Sequence, residues 1–363
     1  MSDRLPGARA AAVPHRARLL APLALCAAAA CVAPPPARPA PAAVIVVTAD
    51  EPLPPSARMD DIARLRDTVR SVLDRAVADS AFPGAVAVIG TSEGILATYG
   101  AGVLDREIPV RPDEHTIWDL ASLTKVVALT SAMMQLVDEG AIDLDAPVQR
   151  YLPEWTGDGK ERVTVRHLLT HSSGLPAWRP LYKEAEGPDG AVALALATPL
   201  DTVPGARTVY SDLGIIIAGK LVERVAGTTL DAFVRERVFG PLGMTSTGYR
   251  PDPSLRARIA PTEFDPWRQR QPHGEVHDEN AFALGGVSAH AGLFSTGRDL
   301  ARFAQAYLAG GALGGVRLAS RETIERFTAL QDSALSNRAI GWEKPTGRNS
   351  AGTLMSPHAF GHT

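Results

Sequence analysis

The chain has 363 residues, and 37 Lys and Arg against 40 Asp and Glu leave a net charge of −3. At 45% apolar and 21% charged it has the make-up of a globular protein with volume for a large core, which excludes bulk disorder, collagen-like repeats and a long coiled coil. A near-neutral balance without a long basic run leaves nothing to neutralise a phosphate backbone, which argues against nucleic acid as a partner.

The first residues have a different character. Arg4, Arg9, Arg16 and Arg18 precede the apolar run Leu19 to Ala30, which is interrupted by Pro22 and too short to span a bilayer comfortably. This pattern predicts an export signal over residues 1–31 and a Pro/Ala-rich tether over 32–57, with the folded domain at 58–363. Both cysteines, Cys26 and Cys31, fall in the leader, so the folded part is expected to hold no disulfide. Cys31 follows Ala28-Ala29-Ala30 and precedes the Pro-rich stretch, as a bacterial lipoprotein acylation site would; plain cleavage at an Ala-x-Ala site is the alternative. The expected location is therefore the periplasm, either free or anchored to membrane by lipid.

Next, Ile62, Leu65, Val69, Val72, Leu73 and Ala76 recur at helical spacing and predict an amphipathic helix. Ala85 to Gly90 and Ile95 to Gly100, separated by Ser92-Glu93-Gly94, predict a hairpin. A helix apolar on every face is expected from about Ser122 to Glu139, with Gly140 as its stop. A second buried helix runs from Leu213 to Ala226 and stops at Gly227, followed by an amphipathic segment from Leu230 to Phe239. A polar loop spans Arg250 to Asn280, and another helix starts near Thr296. Strands at the front and helices in the middle predict an α+β sandwich with a helical insertion.

The chemistry begins at Ser122-Leu123-Thr124-Lys125. Serine and lysine three apart on a helix share one face, so the amine reaches the hydroxyl. The helix start favours negative charge on the attacking oxygen, and burial lowers a lysine pKa towards that of a neutral base. The alternative is that Ser122 caps the helix and Lys125 closes a turn. Val126, Val127, Ala128 and Leu129 nevertheless carry the lysine into an apolar setting, which is costly unless its charge is paired or its pKa is used. Tyr210-Ser211-Asp212 lies between the turn-forming Pro204-Gly205 and the second buried helix, where a phenol can pass a proton and Asp212 can also serve as a cap.

Metal-binding patterns are weaker. His167 and His171 stand four apart, but Leu168 occupies the place of the glutamate in a zinc-peptidase motif. His273-Gly274-Glu275-Val276-His277-Asp278 has more donors yet reads as a loop, so no metal and no cofactor are expected.

Five segments stand in a specific order: Phe82-Pro83-Gly84-Ala85, Ser122-Leu123-Thr124-Lys125, the run His167 to Pro176, Pro204-Gly205 leading to Tyr210-Ser211-Asp212, and Pro241-Leu242-Gly243-Met244. Together they resemble the serine β-lactamase and penicillin-binding-protein superfamily, in its class C-like branch, which also holds esterases and D-alanyl peptidases. The resemblance implies a sandwich of an antiparallel sheet with helices on both faces. It implies Ser122 as the acylated nucleophile, Lys125 as its base and Tyr210 as the proton shuttle. Asp212 stands where that family usually has Asn. A carboxylate only accepts hydrogen bonds, so β-lactam side-chain binding is in doubt and Lys125 should be held more firmly as a cation.

The third motif of the resemblance, Lys-Thr-Gly or His-Thr-Gly on a strand, has two candidates. His290-Ala291-Gly292 has suitable residues but is expected to lead straight into a helix. Phe360-Gly361-His362-Thr363 fits better, which makes His362 and Thr363 substrate-binding candidates and His290 a secondary one. On this expectation the domain is truncated at its C-terminus, lacks its second oxyanion donor and leaves the Ala85 to Gly100 strands without a partner. The implied activity is an exported serine hydrolase acting on an ester, a D-alanyl amide or a β-lactam, small or derived from peptidoglycan. The alternative is a wall-binding or sensor module impaired in turnover; oligomeric state is left open.

Overall fold

The computed structural model describes residues 45–47, 58–346 and 351–363. The leader with Cys31 and most of the tether lie outside the described residues. Within the tether stretch, however, the β-branched run Ile45–Val47 forms a strand that pairs antiparallel with Phe360–His362.

The amphipathic helix spans Arg58–Ala78, and the hairpin joins strands Gly84–Thr91 and Gly94–Gly102, with a register shift at Ile89/Gly90. Among the described residues this sheet has two strands. The first helix packs on the second strand, while the Gly297–Leu308 helix packs on the first. A separate three-stranded antiparallel sheet has Leu293–Thr296 at its centre, flanked by Ile117–Asp119 and Gly248–Tyr249. That strand corrects the expectation that the residues after Gly292 enter a helix directly. Leu293 to Thr296 are all buried and pair on both sides, so tertiary pairing decides their conformation, and the helix begins only after the Thr296 cap.

The nucleophile-bearing segment also departs from the plain helix expected. Ala121–Leu123 is a 3-10 turn, Lys125–Thr130 is π-helical and Ser131–Asp138 is α-helical. Side-chain hydroxyls support the wide middle turn: Thr130 Oγ1 donates to the Lys125 carbonyl at 2.9 Å, five residues back. π-turns of this kind concentrate at functional sites. Gly140, at φ +68°, ends the segment as expected.

The second buried helix, Asp212–Ala226, starts where the Ser211 side chain accepts from the Gly214 amide and stops at Gly227, φ +68°. Its apolar residues and those of the nucleophile segment form one core with Leu168, Leu169, Val234 and Phe239. Helices at Gly187–Ala197 and Arg321–Thr328 were not anticipated. The strand carrying His362 is held to that core by aromatic edges: Phe360 meets Trp342 at 5.1 Å and Tyr307 at 5.9 Å between ring centroids. The molecule is thus a mixed helix-and-sheet fold, as the sequence predicts.

One close approach matters for the site. A Cβ on Gly219 would lie 2.7 Å from the Ala289 Cβ, so only glycine lets the Asp212–Ala226 helix press against the segment leading to His290. Gly219→Val should lower the unfolding free energy by about 1–3 kcal/mol, the usual range for overpacking a core contact. Urea unfolding reads this directly, and an unchanged midpoint would show that the 289 segment yields freely.

Candidate active site

The site begins with a strained turn. Ala121 adopts φ +45°, rare for a residue with a side chain. Asp119 holds it there: Oδ1 accepts from the Ala121 amide at 2.9 Å, and Oδ2 accepts from the His277 amide at 2.8 Å. Burial raises the Asp119 carboxyl above its ordinary pKa despite these two bonds. The turn leaves Ser122 half-buried while Lys125, one turn on, is almost wholly buried.

Lys125 is the centre of the constellation. Its Nζ donates to Ser122 Oγ at 2.9 Å and to the His290 carbonyl at 2.9 Å, and forms an ion pair with Asp212 Oδ1 at 2.8 Å. Burial alone would push the lysine pKa down, but Tyr210 and the Asp212 carboxylate outweigh it and hold Lys125 above its ordinary value. Of the two opposite expectations for this lysine, the direction of the shift agrees with the one drawn from Asp212, a cation held more firmly because its burial comes with an anion attached.

Tyr210, Ser211 and Asp212 are fixed from below by the His171 loop. The Ser211 amide donates to His171 Nδ1 at 3.0 Å, Ser211 Oγ donates to the Pro176 carbonyl at 2.7 Å, and the Asp212 amide donates to the Ala177 carbonyl at 2.9 Å. The Tyr210 ring lies 4.5 Å from that of His171 and 6.1 Å from that of His362. Lys125 Nζ stands 5.0 Å from the ring centre and the Arg338 guanidinium 5.3 Å.

His362 is buried, and among the described residues neither of its ring nitrogens has a hydrogen-bond partner. Burial, Lys125 and Arg338 depress its pKa to about 3, so the ring is neutral. Thr363 beside it is exposed. His290 is turned differently: its carbonyl faces Lys125, while Nδ1 meets Ser288 Oγ at 2.7 Å and Nε2 meets Asp278 Oδ1 at 2.9 Å. Burial opposes ionisation of Asp278, but His290, the Ala281 amide and Lys125 hold its carboxyl well below the usual range.

The structure thus gathers Ser122, Lys125, Tyr210, Asp212, His362 and the His290 carbonyl in one place. Asp119, Asp278, His171 and Arg338 were missed as site residues. Asp278 and His171 lay in stretches weighed for metal, and Asp119 and Arg338 reach the site only through the tertiary fold. The histidines of the metal patterns have other uses. His167 Nδ1 accepts from the Thr164 amide, His171 accepts from Ser211, His273 Nε2 lies 2.9 Å from two carbonyls, and His277 Nδ1 meets Thr262 Oγ1. Among the described residues no three His, Cys, Asp or Glu side chains converge on a metal position.

A half-buried serine contacted by a buried lysine is an arrangement able to carry nucleophilic acyl transfer. The family described as beta-lactamase matches residues 69–363, and the chain belongs to it. It is similar to a protein of Escherichia coli (strain K12) named "Putative D-alanyl-D-alanine carboxypeptidase", at 36% identity covering 74% of this chain and 69% of that one. Among solved structures it resembles a penicillin-binding protein homologue from Caulobacter crescentus, at 25% identity and a TM-score of 0.67, covering 82% and 85% of the two chains. A class C beta-lactamase from Rhodobacter sphaeroides shares the fold at 22% identity and a TM-score of 0.60, covering 78% and 77%.

Two buried histidines make the site sensitive to acid. His171 lies well below its ordinary pKa through burial and the nearby Arg338, Lys125 and His362, and His362 lies near 3. The unfolded chain binds these protons near pH 6.5 and the folded one does not, so stability is complete above that value and declines as pH falls towards 3. Urea midpoints should fall between pH 7 and 4.5, and less steeply in His362→Phe. A slope equal to that of the parent protein would place His362 outside this linkage.

Proposed function

We propose that the protein is an exported serine hydrolase that forms an acyl-enzyme on Ser122 and removes the terminal residue from D-alanyl peptides derived from the bacterial wall. The observation that carries the acyl-enzyme is the triple contact of Lys125 Nζ with Ser122, the His290 carbonyl and Asp212. Export rests on the basic leader and its short apolar run. Among the described residues no helix is long and apolar enough to cross a membrane; attachment through a lipid on Cys31 is part of the same proposal.

The ion pair supplies the base. As substrate covers the pair and strips its remaining water, the proton passes from Nζ to the Asp212 carboxylate 2.8 Å away, which removes both charges from a setting that then disfavours them. The neutral amine then takes the Ser122 proton as Oγ bonds to the substrate carbonyl carbon. The ammonium so formed, relayed by Tyr210, protonates the departing amine as the tetrahedral intermediate collapses. The Ser122 amide serves as one donor to the developing oxyanion. Deacylation repeats the sequence with water. Asp212 is thus a working part of this enzyme, which disfavours the impaired sensor.

Substrate choice rests on the groups gathered at the Tyr210 ring. Arg338, which lies over the Tyr210 ring and 3.6 Å from Glu343, and the His362 ring nearby suit the terminal carboxylate that distinguishes a D-alanyl peptide from a simple ester. The relative named as a D-alanyl-D-alanine carboxypeptidase supports the same choice. The purified protein should release D-alanine from a pentapeptide ending in D-Ala-D-Ala. Arg338→Gln should raise KM for that peptide about 10-fold or more, with little effect on a p-nitrophenyl ester. Ester turnover without D-alanine release would assign an esterase instead, and equal loss on both substrates would give Arg338 a structural role.

A further inference from the structure

A wall of aromatic rings that the proposed chemistry does not use is tied by hydrogen bonds to the turn before the nucleophile. Trp178, Trp267 and Phe282 are exposed by 48%, 41% and 38%, far more than their apolar surface would favour. With Tyr182 they form a continuous row: Trp178 to Tyr182 at 6.3 Å, Tyr182 to Trp267 at 4.7 Å and Trp267 to Phe282 at 6.0 Å between ring centres. The last two contacts are edge-to-face, so the rings brace one another while their outer surfaces stay open.

The wall is built, and it is joined to the site. Arg268, buried and paired with the buried Asp265, places its guanidinium against Trp267 at 5.9 Å and Phe282 at 4.7 Å. The same guanidinium donates to the Val276 and His277 carbonyls, and the His277 amide donates to Asp119, the residue that clamps the turn before Ser122. Asn280 ties the two banks together, donating to the Arg179 carbonyl at 2.9 Å and accepting from the Tyr182 amide at 3.1 Å. Trp178 follows Ala177, whose carbonyl receives the Asp212 amide. Charged groups edge the rings: Arg179 pairs with Glu184 at 2.5 Å, and Lys183 Nζ lies 5.4 Å from the Tyr182 ring centre.

We propose that this wall is a saccharide subsite that receives the glycan carried by the peptide substrate. Open ring faces match the C–H faces of a pyranose, and the Arg, Lys and Glu side chains at the edge match its hydroxyl and acetamido groups. An aromatic acyl group would call for an enclosed apolar slot, whereas these rings are open and bordered by charge. The hydrogen-bonded link through His277 and Asp119 to the nucleophile turn supports an occupant that is part of the substrate, and this identification rests on the wall-peptide reading above.

The test uses binding without turnover, so it stands apart from the hydrolytic reading. In Ser122→Ala, tryptophan fluorescence should change saturably with chitotetraose, and a disaccharide-pentapeptide should bind about 10-fold more tightly than the free pentapeptide. Trp178→Ala and Trp267→Ala should each reduce that ratio while leaving pentapeptide binding unchanged, with Trp178→Phe retaining part of it. Equal affinity for the two peptides with no chitotetraose response would overturn the subsite. So would a selective loss, in the tryptophan variants, of phenylacetyl over acetyl ester turnover, which would assign the wall to an aromatic acyl group. Saccharide binding by an enzyme that releases no D-alanine would retain the subsite and overturn the peptide reading.

Discussion

An ammonium buried to 2% exposure has to be compensated at every donor, and that requirement organises this molecule. Each of the three partners of Lys125 comes from a different part of the chain, so satisfying one charge brings three segments together. Ser122 arrives on the turn strained by Ala121 and clamped by Asp119. Asp212 arrives at the head of a helix whose preceding residues are fixed by the His171 loop. The His290 carbonyl arrives on a segment held by Asp278, Ser288 and the close approach at Gly219. The π-turn from Lys125 to Thr130 fits the same demand, since it widens the backbone where the side chain must turn towards these partners.

The same compensation decides the chemistry. A lysine alone in an apolar core would surrender its proton, whereas one beside a carboxylate keeps it. Asp212 therefore changes what kind of base this site holds: the proton is managed within a pair, and neither partner acts alone. The neutral His362 ring and the Arg338 guanidinium, itself 3.6 Å from Glu343, also gather at the Tyr210 ring.

Much of this was legible in the residues. The Ser122 to Lys125 spacing, the apolar run behind it and Tyr210-Ser211-Asp212 before a second apolar helix placed the centre of the site. The helix starting after Thr296 and its glycine-ended predecessors followed from caps and periodicity. What escaped reading depends on distance along the chain. Asp119, Asp278 and Arg338 carry no local pattern that separates them from surface charges, and they acquire roles only when strands and loops far apart in sequence meet. The strand Leu293–Thr296 was hidden for a similar reason, because its pairing on two sides outweighs a local context that points to a helix. The sign of the Lys125 pKa shift was legible only through Asp212, since burial by itself argues the opposite.

The charge state of Lys125 is the point on which the account turns, and it can be observed directly. The chain has five lysines, Lys125, Lys160, Lys183, Lys220 and Lys344, so a ¹³Cε-lysine spectrum is simple enough to titrate residue by residue. The resonance assigned by Lys125→Arg should remain that of an ammonium through neutral and mildly alkaline pH and titrate above the ordinary lysine value of 10.5. In Asp212→Asn it should titrate lower than in the parent protein. A Lys125 resonance that is already neutral near pH 7, or one that Asp212→Asn leaves unmoved, would contradict the paired ammonium on which both the architecture and the chemistry rest.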